Sequence, residues 1–383
     1  MPTAIISIRV QLEQPLDQAL ETLKRGAGVS VALDDERRAR LDPTDPRSEG
    51  FARVLDGLGS ERLPAYLEID SDTEALTRLL IPTVGRVAGI DYDAEGALRV
   101  TLDASHAVHR LRLDSPDFAQ LERELRGALR DSEPVIVVGD DAHQIIGVRT
   151  LTPDDLDTLG RLLPPFPLTP IPDLDWLARL RRWIRWWFRW PWWFWFECVS
   201  METAQQAFDS VAVTTCDPLT VPPPCIPFRY PDDGCFARAH EMCRLMINSG
   251  LSPRKVWIDC SPQNFLRVDT RNNPHCFVEW GFHVAPTLCV RERIRFPFFR
   301  FPFTQRMVID PALFTTPVTE ATWKGVQGDP NAVLTRTSAD EYWHGGYGPD
   351  PMYTSTNEWL ALLRLSLQLR SIQEGPPPYA ACP

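Results

Sequence analysis

Asp233-Gly234-Cys235-Phe236-Ala237-Arg238-Ala239-His240 is the stretch on which the reading of this chain turns. Phe236, Ala239, Cys243, Met246 and Ile247 recur at helical spacing, and Asn248-Ser249-Gly250 supplies a stop, so a helix is predicted to begin at or near Cys235. Asp232 or Asp233 is the expected N-cap. Cys235 then lies in the first turn, where free backbone N–H groups and the helix dipole favour a thiolate. The same N–H groups can hold an oxyanion. Taken alone, the position suits a small buried core residue equally well.

A nucleophilic thiol needs a base. His240 lies five residues on, about 140° around the helix, and points away from Cys235. His283 is better placed. Residues 276–285 read as a strand, as do residues 305–310, and the RERIRFPFFRFPF between them reads as an aromatic hairpin or loop. Antiparallel neighbours would bring Asp310 beside His283, where a carboxylate fixes the tautomer and supports the imidazole. A lone strand histidine and a strand-end Asp before Pro each have an ordinary structural explanation. The order Cys, His, Asp on helix, strand and strand makes their coincidence less natural. It leaves protease, transglutaminase and deamidase open.

The chain has 383 residues and a net charge of −11, enough for two folded units with proper cores. The charge is uneven: residues 1–175 hold 32 acids against 19 bases, while residues 176–196 hold five Arg and no acid. An acidic chain with one short basic island argues against nucleic-acid binding. All nine Cys lie between Cys198 and Cys382. Cys216 and Cys225 flank a Pro-rich loop and could form a disulfide. The odd count leaves at least one thiol unpaired, with Cys235 the obvious candidate. The start, MPTAIISIRVQLEQ, lacks a basic region followed by a long apolar core and reads as a first strand, not a signal peptide. Export by a non-classical route and a cytoplasmic location both stay open.

Residues 1–162 read as an α+β domain. IISIRV, YLEID, LRVTLD and VHRLRL are strand-like, LDQALETLKRG and FAQLERELRGALRD are helix-periodic, DTEALTRLLI carries a helical start signal, and PVIVVGDDAHQIIGVRTL reads as a hairpin. No Gly-rich phosphate loop or metal-ligand cluster appears there. His106 and His109, three apart in a strand-like stretch, fall on opposite faces and read as satisfied polar or surface histidines in preference to metal ligands. Residues 163–175 form a stiff Pro-rich linker. Residues 176–197 form an amphipathic segment with eight of the thirteen Trp. On a helix, Arg181, Arg182, Arg185 and Arg189 share one arc and the Trp side chains another, with Pro191 ending it. Five Arg oppose a spanning helix. An interfacial membrane contact is one reading. The other, preferred here, packs the aromatic face on the chain's own domains. Residues 198–374 form the second domain, and residues 375–383 read as a disordered tail.

The second domain resembles a known family. Residues 228–242, Phe-Arg-Tyr-Pro-Asp-Asp-Gly-Cys-Phe-Ala-Arg-Ala-His-Glu-Met, look like the nucleophile segment of the bacterial protein-glutaminases (protein-glutamine deamidases), F-R-Y-P-x-D-G-C-Y-A-R-A-H-x-M. Trp280-Gly281-Phe282-His283-Val284-Ala285 is similar to the family's W-S-Y-H-V-A, and Ile309-Asp310-Pro311-Ala312-Leu313-Phe314 to its I-D-P-S-L-F, with Pro317, Val318, Thr319 and Trp323 continuing the match. The resemblance covers residues from about 212 to 370. It implies Cys235, His283 and Asp310 as a catalytic triad, no cofactor and no metal. It further implies a papain/transglutaminase-like fold with the nucleophile helix packed on an antiparallel sheet, and a glutamine-containing protein or peptide as substrate. It strengthens the Cys216–Cys225 pairing. Family members carry an N-terminal pro-segment that covers the active site, which makes residues 1–197 an inhibitory or targeting region. Residues 291–303 are richer in aromatics and Arg than the family pattern, and the loop at 259–275 is longer, so substrate choice is less fixed than chemistry. The alternatives are a transglutaminase or cysteine peptidase with the same triad, or a membrane- or partner-binding protein acting through the Trp/Arg segment.

Overall fold

Alternating and helical periodicities become elements much as expected, and a computed structural model of the chain describes residues 2–34, 37–93, 96–165, 198–262, 264–295, 300–345 and 348–383. The N-terminal part runs β1 (Pro2–Ser7), β2 (Val10–Leu12), α1 (Leu16–Lys24), β3 (Val29–Leu33), β4 (Arg38–Leu41), α2 (Ser48–Glu61), β5 (Ala65–Asp70) and β6 (Leu76–Leu80). It continues with β7 (Thr83–Tyr92), β8 (Leu98–Leu102), β9 (His109–Leu111), α3 (Phe118–Asp131), β10 (Pro134–Gly139), β11 (Ile145–Thr150) and α4 (Pro153–Leu159). Its described sheets have the orders β1-β5-β6, β2-β3-β4 and β11-β10-β7-β8-β9. In α3, Leu121, Leu125 and Ala128 turn one apolar stripe onto the largest of these sheets.

Residues 72–81 depart from expectation. The Asp/Thr pair that reads as a helix start instead closes a turn: the Asp70 carboxylate accepts the N–H groups of Asp72 and Thr73 and the Thr73 hydroxyl. The chain then returns as β6 antiparallel to β5, with Leu67 opposite Leu79. A short polar side chain can cap a turn as readily as a helix, and the cross-strand burial of Leu76, Leu79 and Leu80 decides between them.

The second part contains α5 (Met201–Ala212), α6 (Cys235–Asn248), β12 (Arg254–Asp259), β13 (Leu266–Asp269), β14 (Phe277–Trp280), β15 (Phe282–Arg295), β16 (Arg300–Val308), β17 (Val318–Thr319), α7 (Glu320–Gly325), β18 (Val333–Thr337) and α8 (Thr354–Gln373). An antiparallel sheet in the order β17-β16-β15-β12-β18 carries α6 packed against β15. The strand expected over 276–285 is broken at Gly281 into β14 and β15, and residues 291–295 pair with residues 300–304 in the long β15–β16 ladder.

The two parts share one hydrophobic core. Phe51, Leu55 and Leu58 of α2 belong to the same buried cluster as Phe236 of α6 and Trp359, Leu363 and Leu369 of α8. Gly57 makes this approach feasible, because a Cβ there would sit 2.6 Å from Leu365 Cδ2. Residues 375–383, expected to be a free tail, are held: Cys382 is bonded to Cys276, and Tyr379 N–H donates to the Arg271 carbonyl. Cys198–Cys289 and Cys216–Cys225 are also disulfides, leaving Cys235, Cys243 and Cys260 as thiols. Most of the Pro-rich linker and all of the Trp/Arg segment lie outside the described residues. Among the described residues, no helix is long and apolar enough to cross a membrane.

Candidate active site

Cys235 is the first residue of α6, and Gly234, not an aspartate, is the N-cap, with φ +71° and no side-chain capping bond. Asp232 and Asp233 are drawn away from the helix end to partners at the seam with the N-terminal part, Asp232 to α8 and Asp233 to the N-terminal part itself. Asp232 binds Arg370 of α8 at 2.6 Å, and Arg370 also holds Asp141 at 2.8 Å. Asp233 Oδ1 lies 3.2 Å from His106 Nδ1 and accepts the His106 and Gly234 N–H groups.

His283, second in β15, pairs with Ile258 of β12. Asp310 follows the end of β16, and the β15–β16 register brings the two together: His283 Nε2 lies 2.9 Å from Asp310 Oδ2. Trp323 Nε1–H donates to the same oxygen at 2.9 Å, and Ala312 N–H donates to Oδ1 at 3.3 Å. The His283 ring stacks on Trp280 at 4.4 Å between centroids and packs beside Trp323 at 5.5 Å. Burial alone would raise the Asp310 carboxyl, but the His283 and Trp323 contacts outweigh it, so it is held below the usual carboxylate range. His240 is occupied elsewhere: its Nδ1 lies 2.9 Å from Lys255 Nζ and its Nε2 3.3 Å from the Asp350 carbonyl.

One group enters the site that sequence reasoning left outside it. His106, which precedes β9, is fully enclosed rather than at a surface, and its ring packs on Trp280, Phe282 and His283. Its backbone extends β14 as a third strand: Gly281 N–H donates to the His106 carbonyl at 2.9 Å, Val108 N–H to Glu279 at 3.3 Å, and Ala107 bridges Trp280. Cys235 N–H faces His106 Nδ1 at 3.4 Å. A spacing of three residues between two histidines carries no signal for this, because the pairing partner lies about 170 residues away in sequence. His109 is also buried, edge-on to His143.

Enclosure reverses the expected effect on the thiol. Cys235 is 1% exposed, and burial pushes its thiol well above the ordinary range, opposed by the nearby Arg238 guanidinium and a backbone contact at Val284. In this arrangement Cys235 is a neutral thiol. Burial likewise lowers His106 to about 4 against the pull of Asp233, so it is a neutral imidazole, while Asp233, which burial would raise, is lowered to about 2 chiefly by its His106 contact.

Residues 204–327 match the family described as glutaminase. No curated protein matches the chain. Among solved structures, a crystal structure of pro-protein-glutaminase is similar with a TM-score of 0.49 and 21% identity, over 79% of this chain and 99% of that one. A crystal structure of protein-glutaminase gives 0.36 and 27%, over 45% of this chain and 90% of that one. The NMR structure of protein-glutaminase from Chryseobacterium proteolyticum gives 0.35 and 27%, over 42% and 84%. It is over residues 204–327, which hold Cys235, His283 and Asp310 together, that the chain is recognised as glutaminase-like.

Proposed function

We propose that this chain deamidates glutamine side chains of proteins or peptides, with Cys235 as nucleophile, His283 as base and acid, and Asp310 as the group that orients His283. The observation that carries the reading is the 2.9 Å His283–Asp310 contact, with Cys235 at a helix start whose Sγ is within 4.8 Å of a His283 ring nitrogen. That cluster falls inside the glutaminase-like segment. We read the nucleophile helix packed on an antiparallel sheet as a transglutaminase-like arrangement.

His283 takes the Cys235 thiol proton as sulfur attacks the carboxamide carbon, and backbone N–H groups at the start of α6 stabilise the oxyanion. The C–N bond breaks as His283 returns the proton to the leaving ammonia, leaving a thioester. Water, deprotonated by His283, then cleaves the thioester to glutamate and restores the thiol. We further propose that the N-terminal part restrains the enzyme. Cys235 is enclosed beneath His106, and a substrate carboxamide needs the space that the 105–109 segment occupies.

Ammonia release from a glutamine peptide tests the activity, using the full chain and the chain cleaved by protease within residues 166–197. Release that increases on cleavage and vanishes in Cys235→Ala is the expected result, and release at the wild-type rate in Cys235→Ala refutes the mechanism. Adding a primary amine separates a transglutaminase, which would form amine conjugates in place of glutamate. Backbone cleavage of the peptide would mark a peptidase.

A further inference from the structure

His106, Cys235 and His283 each present one donor atom, and these three atoms all lie within 4.8 Å of one another. All three side chains are buried. Among the described residues, His106 Nε2 and His283 Nδ1 have no hydrogen-bond partner. The other nitrogen of each ring faces a carboxylate: His106 Nδ1 lies 3.2 Å from Asp233 and His283 Nε2 lies 2.9 Å from Asp310. A carboxylate that takes one ring N–H leaves the opposite nitrogen with its lone pair free, which is the usual way a metal-binding imidazole is oriented; at His106 this tautomer puts the proton on Nδ1 toward Asp233 and gives up the 3.4 Å Cys235 N–H contact to that nitrogen.

We propose that these three side chains bind one thiophilic divalent cation, with zinc the best fit, and that the ion fastens residues 105–109 to the nucleophile. Two imidazoles and a thiolate select zinc over magnesium or calcium, which take oxygen ligands. Tetrahedral zinc, with Zn–N about 2.0 Å and Zn–S about 2.3 Å, sets these ligands roughly 3.3–3.5 Å apart, so the cluster closes by about 1 Å on binding. As the sulfur–metal bond forms, the Cys235 proton passes to solvent. Asp233 and Asp310 add negative charge behind the two rings. Bonding to the cation draws charge off the sulfur and places the ion and its two imidazoles beside it, so the ion damps the nucleophile and ties it to the N-terminal part. As a latch on a nucleophile the inference rests on the deamidase reading; as a binding site it stands without it.

The test uses the full chain stripped with a chelator and titrated with cobalt(II), then zinc. Saturation at one equivalent, with a thiolate-to-cobalt charge-transfer band and tetrahedral visible bands that zinc abolishes, is expected. His106→Ala and Cys235→Ser each remove the charge-transfer band, whereas Cys243→Ser and Cys260→Ser keep it. Asp233→Asn, which retains all three ligands, weakens binding about 10–100-fold. His106→Gln is the second variant should His106→Ala fail to fold, as judged by near-UV circular dichroism. No band in the stripped wild type overturns the site, as does a band of full strength in both folded His106 variants. These spectra need no turnover. A chain that binds cobalt in this pattern but never releases ammonia refutes the activity and leaves the site standing, and the reverse result refutes only the site.

Discussion

Gly234→Ala is the sharpest probe of how Cys235 is set. Gly234 has φ +71°, a backbone region that costs an L-residue about 1–2 kcal/mol. A Cβ there would also lie 2.2 Å from Leu363 Cδ1, well inside contact distance, and Leu363 is fully buried on α8. Forcing such a side chain aside costs about 1–3 kcal/mol more, so the substitution should destabilise the chain by roughly 2–5 kcal/mol. Denaturant unfolding measures the loss. Leu363→Ala removes the clash but leaves the backbone term, so Gly234→Ala in that background should cost only about 1–2 kcal/mol. The difference between the two penalties is the steric coupling. Ammonia release should also fall in Gly234→Ala, because Cys235 is the next residue and moves with the turn. A cost below about 1 kcal/mol in the wild-type background, or an equal cost in both backgrounds, would refute the account of this turn.

Trp323→Phe keeps an aromatic beside His283 but deletes the N–H bond to Asp310. Bonds to charged groups are worth about 1.5–3 kcal/mol, so kcat/KM for ammonia release should fall roughly ten- to hundredfold, with Asp310→Ala losing more and His283→Ala nearly everything. An unchanged kcat/KM in Trp323→Phe would remove that residue from the orienting set. Acid should loosen the seam. Burial keeps His106 neutral down to about 4 while the unfolded chain protonates near 6.5, so the stability tied to its neutral form is present above about pH 6.5 and lost as pH falls to about 4. That shift is worth about 3 kcal/mol. The fall in unfolding free energy between pH 7.5 and 4 should be smaller in His106→Gln, and equal slopes would contradict the assignment. Cys382→Ser opens a link across 106 residues and should cost about 2–5 kcal/mol, read as a lower melting temperature and faster proteolysis at the C-terminus; unchanged values would show that the tail contributes nothing.

The parts of this fold legible in the sequence are those governed by local pattern. α6 starts at Cys235 as its apolar spacing requires, and α1, α3, β8 and the β10–β11 pair fall where periodicity places them. His283 and Asp310 are brought together because both strands belong to one hairpin, so few alternatives exist for their register. Legibility fails where distant contacts override local preference. The α2 sequence holds three Gly, which weaken its helical signal, yet Gly57 is needed because α8 packs onto it. The acidic pair before Gly234 looks like a helix cap, but Arg370, His106 and Asn273 claim both carboxylates. His106 sits in the site through a strand pairing between segments about 170 residues apart, which no local pattern records.

That pairing has a consequence for how activity could be controlled. The His283–Asp310–Trp323 assembly is already in place, so an opening step need not build it. The Cys235 thiol, by contrast, is held neutral by burial, with His106 among the groups enclosing it. Moving residues 105–109 away would expose Cys235 to water, leave the helix N-terminus and Arg238 acting on the thiol, and free the Cys235 N–H for an oxyanion. Burial is the leading cause of the raised thiol, so on the proposed function the displacement that would admit a carboxamide would also make Cys235 easier to ionise. On that proposal, access and activation are coupled in one movement. The coupling predicts that thiol alkylation and ammonia release rise together when the chain is cut within residues 166–197, and alkylation that rises without any gain in release would separate them.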